Sequence, residues 1–164
     1  MSEKESESPI AEAVIRPEHV GDSRQASELL EQLGYPTEPG ELANRLKALR
    51  GNDEYSVQVA EREGRLVGMI ALHLERPLLH CACEVRVMAL IVSEQERGSG
   101  IGRRLLKAGE EWARGLNAAY ICLNSGNRSE RQAAHHFYRH CGYSSLSTGF
   151  SKPLQDQKEQ ENVL

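Results

Sequence analysis

Three glycines, Gly98, Gly100 and Gly102, follow a continuous apolar run over 87–92 by a few residues. Glycine lets backbone N–H groups turn toward one point because it has no Cβ in the way. The apolar periodicity after these glycines predicts a helix, whose positive dipole end would face the same point. The segment therefore predicts a cradle for phosphate or pyrophosphate. A turn without a ligand is disfavoured, since alternating glycines at a helix start cost conformational entropy.

Two well-known phosphate-binding motifs do not fit this segment. A Walker loop needs Lys and then Ser or Thr after its last glycine, whereas Gly102 is followed by Arg103 and Arg104. A dinucleotide fingerprint needs a third glycine at its sixth position, and that position is Arg103. The glycine segment is therefore predicted to serve another phosphate-containing ligand.

Hydrophobic periodicity and turn residues predict a mixed domain around this segment. The predicted order is one strand, two helices, three strands, a helix, a strand, a helix and two short terminal strands within 143–154. The helix with the glycine-rich entrance spans 98–115, the strand before it spans 83–92, and a last helix runs over 129–141. Antiparallel hairpins combined with one parallel crossover indicate the α/β (α+β) class.

Composition limits what the chain can be. It has 164 residues, enough for one domain over 11–154, and its net charge of −4 comes from residues 1–10 and 155–164. We expect these two acidic tails to be disordered, and the neutral body predicts no nucleic-acid partner. No apolar run is long enough to span a membrane, and the polar beginning lacks a secretory core, so we expect a cytoplasmic protein.

The four cysteines, Cys81, Cys83, Cys122 and Cys141, show no zinc-binding spacing. Reduced thiols are the favoured interpretation, and we expect no metal. A weak metal site that combines Cys81 and Cys83 with nearby histidines is the alternative.

Two motifs resemble those of one enzyme family, the GNAT superfamily of N-acetyltransferases. The pattern Gln95-x-x-Gly98-x-Gly100, with Arg97, resembles its coenzyme A pyrophosphate motif, and 134–143 (AHHFYRHCGY) resembles its A-x-x-F-Y-x-x-x-G-Y/F signature. The resemblance extends over about 14–154. Within the superfamily, segments 66–80, 127–143 and 149–154 look like bacterial aminoalkylphosphonate N-acetyltransferases and nearby aminoglycoside-type enzymes.

The resemblance implies a fold, a cosubstrate and an activity. The fold would be a mostly antiparallel sheet of six to seven strands with about four helices. The activity would be direct acetyl transfer from acetyl-CoA to a primary amine of a small molecule, in a ternary complex, by a homodimer. A regulatory module that only binds coenzyme A, or an enzyme acting on a protein or peptide amine, is the alternative. The implied cofactor-binding residues are Leu90, Ile91, Val92, Arg97, Gly98, Ser99, Gly100, Ile101, Gly102, Arg103, Arg131, His135 and Tyr138.

Tyr138 is the predicted catalytic acid. It falls on the family's tyrosine position, where a phenol can protonate the departing thiolate. Helical spacing places it on one face with Arg131 and His135, opposite an apolar face that contains Phe137. The alternative is that Tyr138 and Phe137 are simply a packed aromatic pair.

The catalytic base is less clear from the sequence, because Met88 stands where many relatives carry a glutamate. Glu84 lies four residues earlier on the same strand face and is predicted to act through water. A salt bridge between Glu84 and Arg86 is the competing interpretation. His73 and His80 are further candidates, since histidine titrates near neutrality.

Positive or titratable groups along these strands, namely His73, Arg76, His80 and Arg86, suit a small amine that also bears an anion. A solvated patch neutralised by Glu75 and Glu84 is equally consistent with the sequence.

Overall fold

The fold is organised around one five-stranded sheet with the order β1-β2-β3-β4-β5. The computed structural model describes residues 11–79, 81–126 and 129–154. The first four strands are antiparallel neighbours, and β5 pairs parallel to β4. The strands are β1 Val14–Pro17, β2 Tyr55–Arg62, β3 Arg65–Glu75, β4 Glu84–Val92 and β5 Tyr120–Leu123.

Helices cover both faces of this sheet. They are α1 Ser23–Gln32, α2 Pro39–Leu49, α3 Ile101–Gly115 and α4 Gln132–His140, with 3-10 turns at Val20–Asp22, Glu94–Glu96 and Ser129–Arg131. On one face, α1 and α2 bury Leu29, Leu42 and Leu46 against Met69 and Ile91. None of these helices in the described parts of the chain is long and apolar enough to cross a membrane.

The other face is covered by α3 and α4. The apolar stripe of α3 buries Leu105 and Leu106 against Ile70 and Leu72 of β3. Phe137 of α4 packs at the border of the same core. These contacts make α3 and α4 one layer over β3 and β4, and they confirm the mixed α/β class expected from the sequence.

A β-bulge in β4 marks the point beyond which β4 and β5 no longer pair. Ala71 pairs with Ala89 and Leu72 pairs with Val87, so Met88 is the extra residue on β4. Strand β5 pairs only with 84–87 of β4. Bulges bend a strand and increase its twist. The edge of β4 over 88–92 that faces away from β3 therefore has no strand partner among the described residues, and we call this stretch the open edge.

The number of strands differs from the expectation of six to seven. Residues 144–154 form no strand, and Leu146, Phe150 and Leu154 are each at least 90% exposed. A strand there would have to bury one of its faces to offset the entropy of ordering it, and this segment buries none. The predicted tails over 1–10 and 155–164 lie outside the described residues.

Candidate active site

The glycine segment has the backbone geometry of an anion cradle. Gly98 has φ +81° and Gly100 has φ +85°, the left-handed region that favours glycine, and an added Cβ would meet no atom within 4 Å at either position. Gly100 is the N-cap of α3 and has no side-chain capping hydrogen bond. The N–H groups of Ile101, Gly102 and Arg103 precede the first intrahelical bond, from Arg104 N–H to the Gly100 carbonyl, 3.1 Å.

Contacts from distant parts of the chain hold this loop in place. Arg62 of β2 donates to Glu96 (Nη1 to Oε2, 2.6 Å), and the N–H of Glu94 donates to Gln32 Oε1 of α1 at 3.0 Å. Ser99 Oγ donates to the Glu96 carbonyl at 2.5 Å. Sequence reasoning missed Arg62 and Gln32, because they lie 34 and 62 residues from their partners and no local pattern marks such pairs.

The predicted cofactor-binding residues before the loop occupy the open edge. Leu90 and Val92 pack toward the α3 layer, whereas Ile91 is only 3% exposed beneath α1 and α2. The side chain of Ile91 is therefore committed to the core, and only its backbone can meet a ligand. Since 88–92 continues directly into the glycine loop, the unpaired backbone and the anion cradle form one continuous surface.

The side chains of the two predicted loop arginines point to the surface. Arg97 lies 3.6 Å from Glu94 (Nη2 to Oε1), and Arg103 donates to the His140 carbonyl at 3.5 Å. The N–H of Arg97 donates to the Glu94 carbonyl at 3.4 Å, whereas the N–H of Arg103 lies in the unbonded first turn of α3.

Helix α4 stands beside the cradle. A Cβ added to Gly102 would lie 3.4 Å from Phe137 Cζ and 3.4 Å from Val92 Cγ2, so the first turn of α3 and the ring of Phe137 approach closely. Tyr138 follows Phe137, with ring centroids 5.3 Å apart, and also lies 6.0 Å from the ring of Tyr143. The predicted active-site tyrosine is thus one residue away from a side chain that touches the cradle.

Tyr138 packs as the alternative interpretation expected, and its role as catalytic acid stays a prediction. Its ring packs against the α3 core, as the packed-pair interpretation required. Burial raises the pKa of its phenol, although the nearby Arg131 partly offsets this. The hydroxyl has no hydrogen bond to any described residue and keeps its proton at neutral pH. The ring of His135, by contrast, already has a partner, because its Nε2 lies 3.0 Å from the carbonyl oxygen of Gly126.

A second group of side chains crosses four strands on the opposite face. Tyr55, His73, Arg86 and Cys122 are successive cross-strand partners on β2, β3, β4 and β5, and we call them the polar row. The rings of Tyr55 and His73 stack with centroids 4.4 Å apart and planes at 18°. Sequence reasoning noted His73 and Arg86 singly, but their alignment follows only from strand register.

Carboxylates border the polar row. Arg86 donates twice to Glu75, Nε to Oε1 at 2.6 Å and Nη2 to Oε2 at 2.9 Å, which lowers the pKa of Glu75 and raises that of Arg86. Glu84 lies farther from Arg86, at 3.9 Å. Burial raises the pKa of the Cys122 thiol, despite the opposing effect of Arg86. Cys122 is therefore a poor thiolate nucleophile.

These contacts bear on two sequence-based interpretations. Arg86 is paired with Glu75, and Arg76 is paired with Glu54, which favours the neutralised patch over a free cationic site. Glu84 stands at the first residue of β4 within the Arg86 network, so the competing salt bridge exists, and its catalytic role stays a prediction. His80 lies outside the described residues.

Among the described residues no three His, Cys, Asp or Glu side chains group to hold a metal ion, and all four cysteines are free.

Comparison with known proteins gives concordant results. Residues 23–143 match the Acetyltransferase (GNAT) family. The chain is 36% identical over 97 residues to the aminoalkylphosphonate N-acetyltransferase of Salmonella typhimurium, a match that covers 59% of this chain and 62% of that protein. A GNAT family acetyltransferase of Staphylococcus aureus superposes with a TM-score of 0.75 at 30% identity, covering 88% of this chain and 100% of the other.

A second solved structure shares the fold at lower identity. It is an aminoglycoside acetyltransferase from an uncultured soil metagenomic sample, in complex with sisomicin. It superposes with a TM-score of 0.73 at 17% identity, covering 87% of this chain and 97% of the other.

Proposed function

The chain belongs to the GNAT family of acetyltransferases, and from this premise we propose that it transfers the acetyl group of acetyl-CoA to a primary amine of a small molecule by direct attack in a ternary complex. The observation that carries the proposal is the continuity of the open edge over 88–92 with the anion cradle at α3. An unpaired strand edge suits an extended, amide-containing arm, and a free helix N-terminus suits a pyrophosphate.

The residues present fit acetyl-CoA, which would supply the activated acetyl group as a thioester. Within the segment from Arg97 to Arg103, the N–H groups of Gly98, Gly100, Ile101, Gly102 and Arg103 are proposed to hold its pyrophosphate, helped by the open space at Gly98 and Gly100. The N–H groups of Arg97 and Ser99 already donate to the carbonyls of Glu94 and Glu96. The backbone of Leu90 to Val92 would pair with its pantetheine arm. Arg131 and His135, at the beginning of α4, are proposed as further contacts.

Tyr138 is proposed to donate the proton that the departing sulfur needs. Its pKa is raised by burial, so the phenol is protonated at neutral pH. Its position beside Phe137 places it next to the cradle. A phenol that lacks a hydrogen bond to any described residue is free to rotate toward a bound thioester.

Proton removal from the amine is proposed to take place on the side of the polar row. Two candidate bases lie there: Glu84, acting through water, which is the base expected from the sequence, and His73 of the polar row. The carboxylate of Glu84 is partly exposed, and its contact with Arg86 is long, at 3.9 Å. These two features leave Glu84 able to accept a hydrogen bond from a water molecule.

The amine is proposed to belong to a small molecule of the aminoalkylphosphonate type, because the chain is similar to the aminoalkylphosphonate N-acetyltransferase of Salmonella. The paired state of Arg76 and Arg86 means that an anionic group on the acceptor would have to compete with Glu54 or Glu75.

The expected homodimer and cytoplasmic location are also kept as proposals. β5 forms one edge of the described sheet, where a second copy could pair. The four free thiols suit a reducing compartment. Light scattering would separate a monomer of 18.3 kDa from a dimer of about twice that mass.

The experiment that tests the function is release of the coenzyme A thiol from acetyl-CoA, measured with 2-aminoethylphosphonate, sisomicin, spermidine and a short peptide as acceptors. Tyr138→Phe keeps the ring and removes the hydroxyl. It should lower kcat by about 10²-fold while leaving the Kd for acetyl-CoA nearly unchanged. Binding of acetyl-CoA without turnover of any amine would favour a coenzyme A-binding module, and turnover of the peptide alone would contradict a small-molecule acceptor.

A further inference from the structure

His73 has the surroundings of an oriented general base. Its ring stacks flat on Tyr55, and its Nδ1 lies 3.8 Å from Glu75 Oε1. Glu75 is itself fixed by two hydrogen bonds from Arg86. His73 is therefore packed against an aromatic ring beside a fixed carboxylate, whose negative charge favours a proton on the imidazole.

The other ring nitrogen of His73 is the one available for chemistry. Nε2 makes no hydrogen bond to any described residue, and the side chain is 27% exposed. Glu75 lies on the Nδ1 side of the ring, and the neutral tautomer with its proton on Nδ1 has a free lone pair on Nε2. His135 differs, because its Nε2 already contacts the Gly126 carbonyl.

His73 also lies at the right level of the sheet. It pairs with Arg86 of β4. Arg86 stands two residues before Met88, a distance of roughly 7 Å along the strand. Met88, the bulge residue, is 44% exposed at the beginning of the open edge. Because β3 and β4 are about 4.8 Å apart, the Cα atoms of His73 and Met88 lie roughly 8 Å from one another, so that an amine beside Met88 is within reach of Nε2 through ordered water.

We propose that His73 is the proton acceptor for the amine, with Glu75 and Arg86 as its positioning residues; this assignment rests on the proposed acetyltransferase function. The ammonium gives one proton to Nε2, directly or through water. The amine nitrogen then bonds to the thioester carbonyl carbon, and the carbon–sulfur bond breaks. The sulfur takes the phenolic proton of Tyr138, the second amine proton restores that phenol, and His73 returns its proton to solvent.

The structure favours His73 over Glu84 for this step. Glu84 stands four residues before Met88, roughly 13 Å along β4, whereas His73 on the neighbouring strand lies roughly 8 Å from Met88. The titratable or charged groups that neighbour His73 are Tyr55 on β2, Glu75 on β3, Arg86 and Glu84 on β4 and, beyond Arg86, Cys122 on β5, with the Glu54–Arg76 pair at the adjoining end.

The test is a comparison of pH profiles. Steady-state kcat and KM are measured from pH 5 to 9 for the wild type, His73→Gln, Glu75→Gln and Glu84→Gln, with the amine among 2-aminoethylphosphonate, sisomicin and spermidine that reacts fastest. His136→Gln is the matched control, because His136 lies exposed on α4, its ring contacts the ring of His140, and its backbone carbonyl lies 2.9 Å from His140 Nδ1. Thermal denaturation and acetyl-CoA titration check folding and cosubstrate binding.

We expect His73→Gln to lower kcat by about 10²-fold or more and to lose the acidic limb of kcat/KM. Glu75→Gln should move that limb to lower pH, because the nearby negative charge that favours protonation is gone. Glu84→Gln and His136→Gln should keep the limb. Retention of kcat within threefold in His73→Gln, or loss of the limb in Glu84→Gln instead, overturns the assignment.

Three further outcomes are decided by the same data. If His73→Gln unfolds, an unmoved limb in Glu75→Gln overturns the proposal and a limb at lower pH supports it. If the wild type releases no thiol with any of the three amines, the acetyltransferase function fails and the role of His73 fails with it. Turnover by the wild type with an unaffected His73→Gln leaves the function standing and removes only the histidine.

Discussion

Replacement of Gly100 by Asp and by Asn separates charge from backbone strain at the proposed pyrophosphate site. Gly100 has φ +85° at the N-cap of α3, and an added Cβ meets nothing within 4 Å. Any non-glycine residue is strained there, but Asp and Asn tolerate the left-handed region best and have almost the same shape. The pair therefore shares its strain and differs by one negative charge.

The expected effect follows from the position of the residue. A carboxylate on residue 100 would lie about 6 Å from an anion held by the N–H groups of Ile101 to Arg103. Coulomb repulsion at that distance is about 0.7–2.8 kcal/mol per unit charge for effective dielectric constants from about 80 to 20. That corresponds to a roughly 3- to 100-fold increase in the Kd of Gly100→Asp relative to Gly100→Asn.

Isothermal titration with acetyl-CoA at low and high salt measures this difference, and thermal denaturation measures stability. Salt should narrow the gap between Asp and Asn, because exposed charges are screened. Gly51→Asp is the matched control, since Gly51 has φ +79°, equally open surroundings and a position at the end of α2, away from the cradle. It should lose stability without losing affinity. Equal Kd values for Gly100→Asp and Gly100→Asn would refute a pyrophosphate at this helix end.

Two further predictions concern stability. Gly109→Ala should lower the free energy of unfolding by about 1–3 kcal/mol in urea titrations and leave acetyl-CoA affinity unchanged, because the new Cβ would lie 3.0 Å from Ile70 Cδ1 in a packed core. For Asp22, burial alone would raise the pKa, but hydrogen bonds from Arg16 and from the N–H of His19 lower it overall. The stability that wild type has over Asp22→Asn, about 1–3 kcal/mol, should be complete above about pH 4 and shrink as the pH falls below it; a difference that is independent of pH would contradict this origin.

Local signals in the sequence were sufficient for the cradle and for most elements. Gly98 and Gly100, which the sequence singled out before a helix, each adopt a positive φ. The helix after them begins at Ile101, three residues later than predicted, because those φ values exclude a helical conformation. Such features depend on neighbours within one or two turns, so residue types alone predict them. The prediction of two terminal strands within 143–154 was wrong, because a local residue pattern cannot indicate whether a strand has a partner in the sheet.

Tertiary structure decided how distant residues meet. The bulge at Met88 opens the edge of β4, Arg62 reaches Glu96 across 34 residues, and His73 comes to lie between Tyr55 and Arg86. Tyr138 likewise packs its ring against the core, while its hydroxyl makes no hydrogen bond to any described residue. Helical spacing alone had presented packing and catalysis as alternatives. Register, bulges and ion pairs depend on the simultaneous packing of several elements. The sequence therefore indicated which residue types could do chemistry, while the folded sheet determined which of them share a site.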